Sequence, residues 1–256
     1  MIENVLVTGA TSGIGRAFAC EYAKQRKNLI LTGRDEKKLN CLKEELSGKY
    51  GVQVVTIALD LSREDSTTKL YQFTRECGWG VDLLINNAGF GYVGKFLDET
   101  EENVRQMQRV NMEVVTELCL MYGRDMADRG AGEIVNIAST GSYHPGPYTS
   151  VYYATKAYVL SLTEALAIEW KNTGVKIHAV CPGATKTNFS KRAGRRENRF
   201  AVTPEYIVRQ TLKGMQRKKV TIVVGIFYKI FVHIPRKIAA KMIAWQQKNM
   251  AVYIDN

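Results

Sequence analysis

Asn4-Val5-Leu6-Val7-Thr8, followed at once by Gly9-Ala10-Thr11-Ser12-Gly13-Ile14-Gly15, is the stretch that decides the fold. The first five residues read as a β-strand, and the pattern from about Ile14 to Gln25 reads as the helix that follows. The glycines between them permit a tight turn and a close approach of backbone to a ligand. A helix that opens on such a turn favours an anion at its N-terminus, and a pyrophosphate is the ligand this strand-turn-helix context suits.

Working outward, the same alternation continues. Apolar runs at Asn28 to Thr32, Val52 to Ile57, Val81 to Ile85, Glu133 to Ala138, Val175 to Val180 and Val220 to Val224 read as further strands. Helical patterns separate them, including one long helix over about Glu101 to Ala127 and another that continues past Lys156 to about Lys171. This is the pattern of an α/β fold, a doubly wound parallel sheet with helices on both faces. With 256 residues and 45% hydrophobic content, one domain with one sizeable core is expected. Residues 1–225 are assigned to the sheet domain, with a cation-rich, unpatterned segment at about 184–202 as a lid. Residues 226–256 are assigned to an amphipathic extension.

The formal net charge is +11, with cations concentrated from Lys186 to Arg199 and from Arg217 to Lys248. Neither cluster interleaves with a nucleic-acid-binding motif, so no nucleic-acid partner is expected. An anionic cofactor, substrate or membrane surface accounts for the bias. The five cysteines are scattered singly and read as reduced thiols. The three histidines lack ligand neighbours at metal spacing, so no metal is expected. The start lacks a basic leader and a long apolar stretch, and a cytoplasmic protein is expected.

Polar residues gather at the strand ends. The second strand ends in Gly33-Arg34, where an acid would read a ribose 2′-hydroxyl; Arg34, with Arg16 as a second cation, suits a 2′-phosphate instead. The third leads to Asp60-Leu61, a carboxylate for an adenine amino group or a helix cap. The fourth closes with Asn86-Asn87-Ala88-Gly89. Asn111, inside the long helix, needs a kink, a solvent position or a task. The fifth strand ends at Ser139, with Ser142 as its rival. Tyr152 and Lys156 lie at i and i+4 and share a helix face. An ammonium beside a phenol favours the phenolate, which makes Tyr152 a proton donor or acceptor near neutral pH. Of the rivals Tyr143, Tyr148 and Tyr153, only Tyr148 is expected to face the pocket beside Tyr152. The sixth strand ends in Cys181-Pro182-Gly183, with Thr187 following.

Over roughly residues 2 to 225 the chain resembles the short-chain dehydrogenases/reductases. The resemblance rests on Thr8-Gly9-x3-Gly13-x-Gly15, Asn86-Asn87-Ala88-Gly89, Asn111, Ser139, Tyr152-x3-Lys156 and Pro182-Gly183-x3-Thr187. It implies a seven-stranded Rossmann sheet and hydride transfer between a nicotinamide and a carbonyl or alcohol. It also implies Tyr152 as general acid or base, Lys156 as the group that lowers its pKa and binds the nicotinamide ribose, and Ser139 as donor to the substrate oxygen. Asn111 would anchor a proton-relaying water. The implied cofactor set is Gly9, Thr11, Ser12, Gly13, Ile14, Gly15, Arg16, Arg34, Asp60, Leu61, Asn87, Ala88, Gly89, Tyr152, Lys156, Pro182, Gly183, Thr185 and Thr187, and the expected cofactor is NADP(H). A homodimer through the long helices is expected, because the tail obstructs an interface at the last strand.

In the tail, Phe227, Ile230, Phe231 and Ile234 fall at helical spacing, too short a run to span a bilayer. It packs over the substrate pocket or a subunit neighbour, or lies as an interfacial helix in peripheral membrane contact through residues 226–249, or is a free tail. The expected substrate is a large apolar ketone or secondary alcohol, steroid or bile-acid-like. The alternative is a 3-oxoacyl thioester. A non-catalytic NADP-sensing module is the reading from another class, and the presence of both Tyr152 and Lys156 speaks against it.

Overall fold

Along β1 (Asn4–Thr8) successive side chains go to opposite faces, and both faces are buried. Val5 and Val7 join one core layer with Phe18, Tyr22, Leu29 and Leu31. Leu6 joins the other, with Ile30, Leu84, Tyr122 and Val159. A strand buried on both sides needs helices on both sides, and the computed structural model, which describes residues 2–189, 193–194 and 201–250, has that arrangement.

The other strands are β2 (Asn28–Gly33), β3 (Val54–Ala58), β4 (Leu83–Asn86), β5 (Gly132–Ile137), β6 (Val175–Cys181) and β7 (Thr221–Val223). They form one seven-stranded sheet in the order β3-β2-β1-β4-β5-β6-β7, and every neighbouring pair is parallel. This is a Rossmann-like single domain. The chain winds from β1 to one edge and returns through β4 to the other. The crevice between the C-terminal ends of β1 and β4 is therefore where such a sheet accepts a ligand.

The helices are α1 (Gly13–Lys24), α2 (Glu36–Tyr50), α3 (Ser66–Glu76), α4 (Glu101–Gln108), α5 (Val114–Asp128), α6 (Ser150–Glu169), α7 (Pro204–Gln216), α8 (Ile226–Phe231) and α9 (Arg236–Met250). Thr203 caps α7, its hydroxyl accepting from the Tyr206 N–H, and Pro204 occupies the first turn where no donor is needed.

The expected single helix over Glu101 to Ala127 is instead two helices joined by a π-turn at Arg109–Glu113. The extra residue in that turn carries Asn111, which is fully buried. Its amide donates to the Phe90 carbonyl and to Thr155 Oγ1 while its oxygen accepts from the Phe90 N–H. The neighbouring Arg109 is held by Glu117, Glu113 and the Glu64 carbonyl. Specific partners on both sides of the turn hold the departure from regular α geometry.

The two ends of the expected lid are tied together. Thr185 bridges Val202, with Lys186 N–H donating to the Val202 carbonyl and Val202 N–H to that of Ala184. The lid cations Lys191, Arg192, Arg195, Arg196 and Arg199 lie outside the described residues, as do residues 251–256 of the tail.

Candidate active site

The glycine turn is shaped by β4. The Thr8 hydroxyl accepts from the N–H groups of Asn87 and Ala88, each at 3.0 Å. The Asn87 amide donates back to the Thr8 and Gly9 carbonyls. Gly15 packs so closely that a Cβ there would lie 2.4 Å from the Gly9 oxygen and 2.5 Å from Asn87 Nδ2. Gly9 and Gly13 have φ of +65° and +56°, a region that side chains disfavour. Ser12 stands at the head of α1 without a side-chain cap, and the first turn carries no acid. A helix start of this kind suits an anion. This cradle fits the pyrophosphate of a dinucleotide.

Beyond the turn, Gly33 and Arg34 at the end of β2 and Asp60, Leu61 and Ser62 after β3 line the same cleft. Asp60 accepts from both the N–H and the hydroxyl of Ser62. Partial burial opposes its ionisation, and the Ser62 bonds with the nearby Arg34 charge outweigh that, so its carboxyl titrates below the usual range. Arg16 is placed apart from these residues. It lies outside this cleft and pairs with Glu45 of α2 at 2.7 and 2.9 Å, because the first turn of α1 carries its side chain toward α2. It lines a separate small hollow with Lys186 and Glu205. Arg34 is thus the cation at the β2 end of the cleft.

The other end of the cleft is built by the loop after β5 and the first half of α6. Ser139 caps a short 3₁₀ turn, Thr140–Tyr143, by accepting from the Gly141 N–H at 3.0 Å. Ser142 is buried, accepts from the Ser139 N–H and donates to the Lys156 carbonyl at 2.7 Å. That separates the two serines: Ser139 lines the cleft, and Ser142 ties the loop to α6. Lys156 is buried, its Nζ donates to the Ile137 carbonyl at 2.7 Å and lies 5.9 Å from the Tyr152 ring centroid. Burial pushes its pKa down to about 8. A Cβ on Gly89 would sit 2.9 Å from Asn111 Oδ1 and 3.4 Å from Lys156 Nζ, so the amide oxygen and the ammonium are neighbours across that glycine.

Tyr152, Ser139, Lys156, Gly89, Pro182, Gly183, Thr185 and Thr187 all line one cavity of about 1190 Å³ that is continuous with the cradle. Tyr153 lines it too, whereas Tyr148 does not; the latter stands in a left-handed turn, φ +63°, with its carbonyl held by the Gly94 N–H. The expectation for these two is therefore reversed. Asn111, Gly15 and Arg16 are outside the lining, the first two as supports of it.

The sequence reading left the roof open. Phe227, Tyr228 and Phe231 of α8 and Met242, Trp245 and Gln247 of α9 line the cavity together with Phe189, whose ring lies 5.2 Å from that of Tyr152. The Tyr228 hydroxyl accepts from the Ala184 N–H at 3.0 Å, and its ring covers Gly183. His144, just past the 3₁₀ turn, meets the Phe231 carbonyl through Nε2 at 3.0 Å and the Phe231 ring edge-on. Helical spacing pointed to Phe227 and Phe231 as one face, but nothing in the sequence marks Tyr228 as a clamp.

The model of the short chain dehydrogenase family matches residues 3–198. This chain belongs to that family. The dehydrogenase is 32% identical to a very-long-chain 3-oxoacyl-CoA reductase of Bos taurus over 222 residues, 84% of this chain and 70% of the relative. It is similar in structure to a short-chain dehydrogenase of Sphingobium yanoikuyae in complex with NADPH, at TM-score 0.83 and 31% identity, covering 96% of this chain and 94% of the other. A bulky-bulky ketone specific alcohol dehydrogenase of Comamonas testosteroni superposes at TM-score 0.81 and 27% identity, over 96% and 92% of the two chains. The dehydrogenase is an oxidoreductase that takes a nicotinamide cofactor and a small-molecule substrate.

Proposed function

We propose that this dehydrogenase uses NADPH to interconvert a large apolar ketone, steroid or bile-acid-like in bulk, with its secondary alcohol. The observation that carries the size of the substrate is the aromatic roof of α8 and α9, which lies over a cavity shared with Tyr152 and Ser139. Such a wall of apolar side chains rewards apolar bulk. The bulky-ketone specificity of the similar Comamonas testosteroni enzyme supports the same reading.

Arg34 carries the preference for the 2′-phosphate, with Gly33 in place of an acid as the last residue of β2. The cofactor, when bound, supplies or accepts the hydride. The cradle of Gly9 to Gly15 holds its pyrophosphate, Asp60 and Leu61 its adenine end, and Asn87 to Gly89 with Pro182, Gly183, Thr185 and Thr187 its nicotinamide end.

Tyr152 gives its phenolic proton to the carbonyl oxygen in reduction and takes it back in oxidation. Ser139 uses a lone pair at Gly141, which leaves its own O–H to donate to the substrate oxygen and hold it by the phenol. The Lys156 ammonium stabilises the phenolate that Tyr152 becomes and meets the ribose hydroxyls. Asn111 has both amide protons engaged, so a water that replenishes the proton is anchored on Oδ1, beside Lys156.

A panel of ketones, steroids and acyl thioesters assayed with NADPH and NADH in parallel tests this reading. Turnover confined to short soluble ketones, or equal use of both cofactors, overturns it. The second reading, a 3-oxoacyl thioester, is favoured by the Bos taurus relative and by Lys241 at the cavity wall as a partner for a thioester's phosphates; activity on the thioester alone decides for it. For assembly we propose a homodimer through α5 and α6, which expose Leu120, Tyr158 and Ile168; light scattering that gives a tetramer at low concentration refutes it.

A further inference from the structure

Residues Tyr206 to Ile254 hold ten lysines and arginines and not one aspartate or glutamate. A stretch this long without an acid meets anions without local repulsion. Within it, α9 divides into three sectors, because successive residues turn by about 100° around a helix. Ala239, Ile243 and Gln247 are buried against the body. Ile238, Met242 and Trp245 make the next stripe and are 55%, 46% and 73% exposed. Lys237, Lys241 and Lys248 make the third, also exposed. The short helix α8 adds Ile226 at 76% and Ile230 at 67% exposure, with Lys229 between them.

Large apolar side chains standing in water beside an unbroken set of cations form the surface of a helix that lies in a lipid headgroup layer. We propose that α8 and α9 dock this dehydrogenase on an anionic bilayer, with Ile226, Ile230, Ile238 and Trp245 entering the acyl boundary and the lysines meeting the headgroups. A second copy of the chain fits the surface poorly, since it brings the same cations to it. Among the described residues no helix is long and apolar enough to cross a membrane, so the contact is one of lying on the surface.

The geometry also gives the docking a use. Phe227, Met242 and Trp245 line the cavity and are at the same time exposed. The mouth of the cavity is thus made of the side chains that enter the lipid, and a bilayer-dissolved ketone reaches Tyr152 without crossing water. Docking itself stands on the surface alone; the delivery of substrate rests on the reductase function proposed above.

Flotation of the full chain with phosphatidylcholine vesicles, with and without phosphatidylglycerol, tests the docking. The expected result is binding to the anionic vesicles that weakens with added salt and is accompanied by a blue shift of tryptophan emission from Trp245. The triple variant Ile226→Glu, Ile230→Glu, Ile238→Glu is expected to lose at least about tenfold in vesicle affinity. Its far-UV circular dichroism and melting temperature match those of the parent chain, which shows that it is folded. Lys237→Glu with Lys248→Glu, the milder variant, is expected to lose binding to the anionic vesicles in the same direction. Absence of binding by the parent chain, equal binding by the variants, or capture by an acidic polypeptide in place of vesicles overturns the proposal. Flotation needs no turnover, so a failed ketone panel and failed docking are separate results.

Discussion

Lys156 donates its buried ammonium to the Ile137 carbonyl at 2.7 Å, and among the described residues no carboxylate pairs with it. Burial therefore brings its pKa from the ordinary 10.5 down to about 8. Above that pH the cation proposed to stabilise the Tyr152 phenolate is lost, so carbonyl reduction should fall as pH rises through about 8, read as kcat against pH. The stability effect has the opposite direction. Between about 8 and 10.5 the unfolded chain binds more protons at this site than the folded one, so the contribution to folding rises with pH across that window. Lys156→Met removes a buried charge. It should keep or raise the melting temperature while lowering turnover at least about a hundredfold.

Tyr152→Phe should abolish turnover and leave the affinity for NADPH nearly intact, as read by fluorescence titration. The ring keeps its contact with Phe189, so the fold is preserved and the lost function is the proton. Retained activity above roughly a few per cent is incompatible with the assignment.

Arg34→Ala should raise the KM for NADPH by about ten- to a hundredfold, the scale of one charge-assisted phosphate contact, and leave that for NADH within about twofold. Arg16→Ala is the control. Its side chain is spent on Glu45, and both cofactors should be unaffected.

Gly183→Ala would place a Cβ 2.0 Å from Tyr228 Cε2, and Tyr228→Phe would remove the acceptor of the Ala184 N–H. Either change loosens α8. The expected outcome is a KM for a bulky ketone raised by about tenfold with a short ketone little affected, measured at saturating NADPH.

Much of this molecule was legible in the sequence because periodicity and punctuation carry it. Val5, Leu6 and Val7 announce a strand buried on both faces, Gly9 and Gly13 stand at positive φ, and Gly15 stands where only a hydrogen fits. Strand ends were read to within two residues. Ser139, Tyr152 and Lys156, which chemistry and strand-end position single out together in the sequence, line one cavity. What escaped was tertiary. Arg16 has the right position along the chain to meet a phosphate, but the rotation of α1 hands it to Glu45. The helix through Asn111 reads as continuous because a π-turn leaves no mark in apolar spacing; only its poor helix propensity hinted at a break. Tyr228 and His144 act through partners 44 and 87 residues away, and no local pattern encodes such a reach.

The bond from His144 to the Phe231 carbonyl makes the two halves of the cavity difficult to exchange independently. His144 follows directly on the turn that presents Ser139, so the segment proposed to orient the carbonyl oxygen is also tied to the tail that lines the cavity. The His144 ring is buried and its Nε2 is committed to the Phe231 carbonyl, which ties the conformation of that loop to this tail. Grafting the last thirty residues of another dehydrogenase onto this sheet would transplant the shape of a new roof but not its footing. Variation toward new substrates in this scaffold has to proceed by paired changes, one in the loop after β5 and one beyond β7.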